Sequence, residues 1–293
     1  MIVFLNGQFL PEEQAVVSVF DRGFLYGDGL FETMRVLNGN PFRWRQHWER
    51  LERGAQFLRI PVSFNPDALR AFAAQLIETN QMADALLRVA FSRGVGRPGY
   101  SPKGAQQPTL VMSCHPAPVF DPQSPPRWRL ATASVRLPAG EPLAEFKTAN
   151  KLAQILARAE ADAANADEAL LRNTEGYMVE GASSNLFWIE HDTVCTPPLA
   201  SGILAGVTRA MVLEICRDLR LPAREASIGP EQLRLAQAVF LSLSSWGIVE
   251  AVLLDGVPLR QSPWVERIRR ACWELLQRET GPHQREGGHP REP

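Results

Sequence analysis

The sequence predicts an α+β protein built of two mixed α/β domains. Three observations carry that class. Strand-like runs alternate with helical apolar spacing in the first half. The eleven residues from Pro116 to Pro126 (PAPVFDPQSPP) then hold five prolines, which no helix or central strand tolerates. Beyond them the alternation of strand and helix patterns resumes. The expected organisation is a small domain over residues 1–115, a Pro-rich linker over 116–127, a larger domain over 128–279 and a disordered tail over 280–293. The tail, TGPHQREGGHPREP, is rich in Gly, Pro and charge.

In chain order, IVFLNGQFL reads as a strand, an Asn-Gly turn and a second strand, and LFETMRVLNGNPFRW repeats that signal around Asn38-Gly39. His47 to Leu58 and Pro66 to Met82 space their apolar residues as helices. LLRVAFSR and TLVMSC read as strands. After the linker come the strand WRLATASVRL, a helix over Lys151 to Ala164, and the short strands EALLRN, YMVEG and NLFWIE. A helix over Gly206 to Leu219, a short one at EQLRLAQ, the buried strand VFLSLSS and a last helix over Pro263 to Arg278 complete the series.

Bulk properties narrow the function. A formal charge of −1 without long single-sign runs gives no reason to expect a nucleic-acid or anionic-membrane partner. No apolar run approaches the roughly 20 residues of a membrane span. Four scattered cysteines, with no CxxC pair and no His at ligand spacing, read as reduced thiols of a cytoplasmic protein and exclude a metal site from the expectation. Gly94-Val-Gly96-Arg-Pro-Gly99 matches a dinucleotide fingerprint after a strand. That fingerprint must open a helix, however, and Pro98 with the following YSPKGAQQP forbids one, so a glycine-rich loop is expected.

Only three of the 31 basic residues are lysines: Lys103, Lys147 and Lys151. Where positive charge alone is needed the chain uses arginine. A lysine matters most where a primary amine must react with an aldehyde, which a guanidinium cannot do. Taken alone, Lys147 in FKTANKL is still more simply a helix-flanking surface residue. Glu180, in the apolar context MVEGASSNLFW, is either an edge-strand carboxylate in solvent or a buried one with a cationic partner, such as a protonated pyridine nitrogen. Ala205 to Arg209 open a helix whose free N–H groups suit an anion, with ordinary capping as the plain alternative. Ser244 and Ser245 end a buried strand, where they either form a turn or donate hydroxyls. Arg50, in HWERLER, is either a phosphate ligand or part of a solvated face. Together these parts could hold pyridoxal 5′-phosphate.

Seven separated motifs, FDRGFLYGDGLFETMRV, HWERL, FSRGVGRPGY, FKTANKL, VEGASSNLF, GVTR and LSLSSWG, run in family order from about Phe4 to Pro258. In them the chain resembles the class IV (fold type IV) pyridoxal-phosphate enzymes, which include branched-chain and D-amino-acid aminotransferases and aminodeoxychorismate lyase. The resemblance implies that Lys147 forms the Schiff base and moves protons at the substrate carbon. It implies that Glu180 pairs with the pyridine nitrogen. Arg50, the Val207 and Thr208 N–H groups and the Ser244 and Ser245 hydroxyls would bind phosphate. It further implies a cofactor cleft between the domains and a homodimer whose sites border the partner subunit, with the Tyr26–Thr33 and Gly94–Tyr100 loops facing substrate.

Within the family the chain is most similar to the lyases. Asn150, Lys151 and Leu152 after the lysine, the run from Ser92 to Tyr100, Val135 to Leu137, and Thr33 near the reacting atoms all fit that pattern. Leu152 stands where branched-chain aminotransferases carry a tyrosine, and Phe31 where D-amino-acid aminotransferases tend to carry one. Tyr26, Phe31, Arg97, Tyr100 and Trp246 are the residues expected to bind substrate. Arg97 sits one position early for the lyase pattern, Trp246 replaces an arginine of some relatives, and Glu250 a usual proline. A lyase releasing pyruvate and 4-aminobenzoate from 4-amino-4-deoxychorismate is the first expectation. An aminotransferase of the D-amino-acid or branched-chain type is the second.

Overall fold

A computed structural model describes residues 1–119, 121 and 123–281. The first part of the chain forms β1 (Ile2–Leu5), β2 (Gln8–Pro11), α1 (Arg22–Tyr26), β3 (Gly29–Leu37), β4 (Asn40–Pro41), α2 (Trp44–Leu58), α3 (Pro66–Thr79), β5 (Ala85–Ser92) and β6 (Thr109–Pro116). The second part forms β7 (Arg127–Leu137), α4 (Leu152–Ala163), β8 (Glu168–Asn173), β9 (Met178–Gly181), β10 (Asn185–Glu190), β11 (Thr193–Thr196), α5 (Val207–Asp218), β12 (Ala223–Glu225), α6 (Pro230–Leu235), β13 (Ala238–Leu243), β14 (Gly247–Leu254), β15 (Val257–Pro258) and α7 (Pro263–Thr280).

The six strands of the first part make one antiparallel sheet in the order β2-β1-β6-β5-β3-β4. Its buried face follows from strand alternation. Leu30 and Met34 of β3 and Leu87, Val89 and Phe91 of β5 pack under α2 and α3, against Trp48, Leu51, Leu69 and Leu76. Phe31 and Thr33, which alternate with Leu30, Glu32 and Met34, point to the other face and stay half-buried. That face looks toward the second sheet.

The second sheet closes on itself. Along β10-β13-β14-β7-β8-β9 each strand pairs with the next, and β9 returns to β10 through the Glu180–Asn185 pair. Both faces of its central strands are buried, so they read as unbroken apolar runs. Leu186 and Trp188 of β10 join Val239 and Leu241 of β13 in one core, and Phe187 and Ile189 join Ala238 and Phe240 in another, beneath α5 and α7. The parallel β7–β8 pair is bridged by α4, whose Ala157 and Ala161 let the helix settle closely on the sheet.

Several expectations change in detail. GIVEAVLL is a full strand, β14, although Glu250 interrupts its apolar pattern. Thr280, placed by sequence in the tail, ends α7: it is buried, its hydroxyl bonds the Leu276 carbonyl, and its own carbonyl accepts from Asn40. The remainder of the expected tail beyond Gly281, with Phe120 and Pro122 of the expected linker, lies outside the described residues. No helix follows the glycines of Gly94–Gly99, and Gly94 itself, at φ +82°, has no room for a Cβ against the Gln107 carbonyl.

Candidate active site

Lys147 reaches the space between the sheets on an extended segment. Strand β7 stops at Leu137. The chain then runs through a 3₁₀ turn at Pro142–Glu145 and lies along β3. There Phe31 N–H donates to the Lys147 carbonyl at 2.9 Å, and Ala149 N–H donates to that of Gly29 at 2.8 Å. The first sheet thus fixes the backbone of a lysine that belongs to the second part of the chain. The amine lies 4.7 Å from the centroid of the Phe31 ring. Burial, with the Arg50 charge next, draws it down from the ordinary lysine range to about 8.

Lys147 lines a cavity of about 580 Å³ together with Glu180, Arg50, Phe31, Thr33 and Lys151. Glu180 is the last but one residue of β9 and is buried. Burial pushes its carboxyl up to about 7, against the Leu204 N–H, which donates to Oε2 at 2.9 Å, and against Lys151 and Lys147. The carboxyl is therefore poised to ionise fully once a cation is placed beside it. Glu168 accepts from the N–H and hydroxyl of Ser183 at 3.2 and 2.6 Å, which pins the turn that follows Glu180.

The cavity is also lined by Val207 and Thr208 of α5 and by Ser242, Ser244 and Ser245. Helix α5 has Gly206 at its N-cap and no side-chain cap, so its first N–H groups are left for an external acceptor. The Ser242 hydroxyl is buried without a hydrogen-bond partner among the described residues. An orphaned hydroxyl, an uncapped helix start and a buried arginine in one wall are the donor set a phosphate needs.

Arg50 is held more firmly than its sequence context suggests. Its Nε and Nη2 donate to the two Glu32 oxygens at 2.8 and 2.7 Å, and Nη1 donates to the Ala205 carbonyl at 2.9 Å. His47 Nδ1 adds a 2.6 Å bond to Glu32. Burial pushes the Glu32 carboxyl up, but the Arg50 and His47 partners more than reverse this and hold it at about 2. Burial lowers the His47 pKa, so the neutral imidazole donates through Nδ1.

The cavity therefore gathers Lys147, Glu180, Arg50, Val207, Thr208, Ser244, Ser245, Phe31 and Thr33. It does not gather the other four substrate candidates. Tyr26 ends α1 and is placed against the glycine loop, where its hydroxyl accepts from Gly99 N–H. Arg97 is exposed, and Tyr100, 88% exposed, packs on the edge of Tyr26. Trp246 lines an adjoining cavity, which shares Val207, Thr208, Ser244 and Ser245 with the first, and packs against Trp128. Residues 29–33 are strand rather than loop, and Leu152 is 69% exposed, outside the cavity.

Sequence reasoning missed Glu32, His47, Ser242 and Arg88. The signal for Glu32 was an acid at an inward position of a strand, between Leu30 and Met34. Arg88 pairs across from Thr33 and stacks its guanidinium 4.1 Å from the Phe31 centroid, on the ring that also carries the Lys147 amine.

The model of the class IV amino-transferase family matches residues 29–254. A putative branched-chain-amino-acid aminotransferase of Methanocaldococcus jannaschii is 33% identical over 87% of this chain and 88% of its own. Among solved structures, the 4-amino-4-deoxychorismate lyase of Pseudomonas aeruginosa has 32% identity and a TM-score of 0.79, covering 94% of this chain and 98% of that one. The T.th. branched-chain amino acid aminotransferase with pyridoxamine 5′-phosphate has 27% identity and a TM-score of 0.87, covering 96% and 94%. The sheet pair, the lysine held between the sheets and the match over most of the chain agree: this protein belongs to the class IV aminotransferase family.

Proposed function

We propose that the protein is a pyridoxal 5′-phosphate-dependent lyase that releases pyruvate and 4-aminobenzoate from 4-amino-4-deoxychorismate. The chain is a pyridoxal-phosphate enzyme of its family, and its residues fit the cofactor. Lys147 is the amine for covalent attachment, Glu180 the partner of the ring nitrogen, and Arg50, the α5 start, Ser244 and Ser245 the phosphate donors. When bound, the cofactor supplies a protonated ring that withdraws electrons from the substrate carbon. Lys147 does the remaining proton work: an amine drawn down to about 8 takes a proton from that carbon and returns one near neutral pH.

The observation that favours the lyase is Thr33. Its strand position puts a hydroxyl in the same cavity as Lys147, next to Phe31, where D-amino-acid aminotransferases tend to carry a tyrosine. The Arg88 guanidinium and Lys151 supply positive charge for the substrate's carboxylates. The test is pyruvate release from 4-amino-4-deoxychorismate with no 2-oxo acid added. Turnover only when both an amino donor and a 2-oxo acid are present would replace this reading with an aminotransferase, which the Methanocaldococcus and T.th. relatives favour.

The protein acts as a homodimer in this reading. Val16, Val19, Phe20, Phe24 and Tyr100 are exposed apolar side chains near one another in the chain or joined by the Tyr26–Tyr100 contact. A second copy covering them would bring Arg97 and Tyr100 beside a site they do not reach in their own chain. Light scattering giving the mass of one 32.6 kDa chain would remove this part of the reading.

A further inference from the structure

We propose that Glu32, seated by His47, is the positioning residue of the phosphate end of the site. It aims the Arg50 guanidinium into the cavity and, through Ala205, steadies the turn that begins α5. The inference rests on the cofactor reading above and concerns residues that do not themselves line the cavity wall in the way Arg50 does.

Strand alternation sends Phe31 and Thr33 toward the cavity and Glu32 to the opposite face, under α2. His47 and Arg50 stand three residues apart on α2, so their side chains leave the helix on one face and converge on the same carboxylate. Glu32 is 1% exposed, His47 2% and Arg50 4%. A guanidinium gripped through Nε and one Nη by a carboxylate is fixed in plane as well as in position. The Ala205 carbonyl takes an N–H of the other Nη. Three of the five guanidinium N–H groups are thus consumed by protein, and two remain on a group that cannot rotate.

The Ala205 contact reaches further. Its neighbour Leu204 donates its N–H to Glu180 and accepts from Asn185 Nδ2, each at 2.9 Å. Gly206, next in line, has no room for a Cβ because the Asn185 amide fills the space. The three residues before α5 are therefore held from three sides: by Arg50 on the first sheet's helix, and by Glu180 and Asn185 on the second sheet. Loss of Glu32 frees Arg50 to leave both the cavity and Ala205, and the uncapped N–H groups of α5 lose one of their anchors. The carboxylate also opposes an anion electrostatically. Two short ionic bonds at 2.7 and 2.8 Å outweigh that longer-range repulsion, because they decide whether the cation is present at the wall at all.

The experiment compares equilibrium binding of pyridoxal 5′-phosphate and of unphosphorylated pyridoxal to wild type, Glu32→Gln, Arg50→Ala and the double variant, with inorganic phosphate as competitor. Glu32→Gln should weaken pyridoxal phosphate by roughly tenfold or more, the worth of one charge-assisted bond, and pyridoxal by less than about twofold. The competing effect of inorganic phosphate should fall with it. In the Arg50→Ala background, Glu32→Gln should add no further phosphate-specific loss. Equal weakening of both compounds, tighter binding of pyridoxal phosphate, or additivity with Arg50→Ala overturns the proposal. Should Glu32→Gln not fold, His47→Gln carries the same test, with a smaller loss that is again confined to the phosphorylated compound. A wild type that binds both compounds equally overturns the phosphate assignment itself, a result distinct from any of these.

Discussion

The Lys147 amine and the Phe31 ring form a packed pair, 4.7 Å from nitrogen to ring centroid. Arg88 covers the same ring at 4.1 Å. Phe31 therefore packs against both cations and keeps water from the amine. Burial of the amine is the largest of the causes that draw Lys147 down to about 8. Phe31→Ala admits water, and the amine should return toward the ordinary lysine value. The ring's attraction for a cation acts the other way but is worth only about 0.5–1 kcal/mol at a half-exposed site. The check is the pH dependence of Lys147 modification by an amine reagent: the midpoint should move up in Phe31→Ala. A downward move would mean that the ring acts on charge and not on water.

Lys147→Ala removes the amine and leaves the proposed phosphate donors in place. Cofactor should then still associate but should no longer be fixed to the protein by borohydride. Turnover should fall by at least about 10²-fold, the lower range for loss of a general acid–base group. Peptide mapping of the wild type should find the label on Lys147 and on neither Lys103 nor Lys151. A label on Lys151, which also lines the cavity, would reassign the chemistry to it.

Glu180 gives a pH signature in the cofactor-free protein. Its folded pKa is raised from 4.5 to about 7, chiefly by burial. A carboxyl raised in this way is more easily protonated folded than unfolded. Its contribution is favourable below about pH 4.5 and is lost as pH rises through about 7. Wild type should therefore lose up to about 3 kcal/mol across that window on account of this residue. Glu180→Gln, which keeps an acceptor for Leu204 N–H, should not. Thermal melts of the two apo-proteins should converge near pH 4.5 and separate by about pH 8, with the variant higher. If Glu180 is the partner of the ring nitrogen, as proposed, bound cofactor should reverse that order.

The residues legible in the sequence share one property: their chemistry is unusual for the local pattern. A lysine in an arginine-rich chain, a carboxylate in an apolar strand and a glycine at a helix start each stand out within a few residues. Glu32 is also an anomaly of this kind, but its neighbours Phe31 and Thr33, on the face toward the cavity, carry the chemistry that the sequence pattern exposes. Its role appears only when α2 is laid across β3, which brings together residues fifteen and eighteen positions apart. Arg88 depends on the β3–β5 register, a long-range fact that no local period encodes. Tyr26, Arg97, Tyr100 and Trp246 came from resemblance alone. In the single chain Arg97 and Tyr100 lie off the cavity because their loop is exposed, whereas Tyr26 and Trp246 line spaces that adjoin it.

Arg43 joins the two halves of the molecule and tests how far the site depends on that junction. It precedes α2, with a left-handed backbone at φ 55°. Its side chain, 6% exposed, reaches Glu214 of α5 at 2.7 Å and Glu279 of α7 at 3.2 Å. Both acids remain partly hydrated, so loss of the arginine leaves no buried stranded charge. The expected cost of Arg43→Ala is therefore about 1–2 kcal/mol, a drop of about 2–4 °C in Tm per kcal/mol. Arg43→Gly loses the same ion pairs but relieves the left-handed strain, which costs a non-glycine residue about 1 kcal/mol. The glycine variant should melt above the alanine variant by about that amount. Equal melting temperatures would mean that the backbone here relaxes once the ion pairs are gone, so that the pairs impose the strained turn. Because α5 opens with the N–H groups proposed to bind phosphate, both variants should also bind pyridoxal phosphate more weakly than wild type in equilibrium titrations.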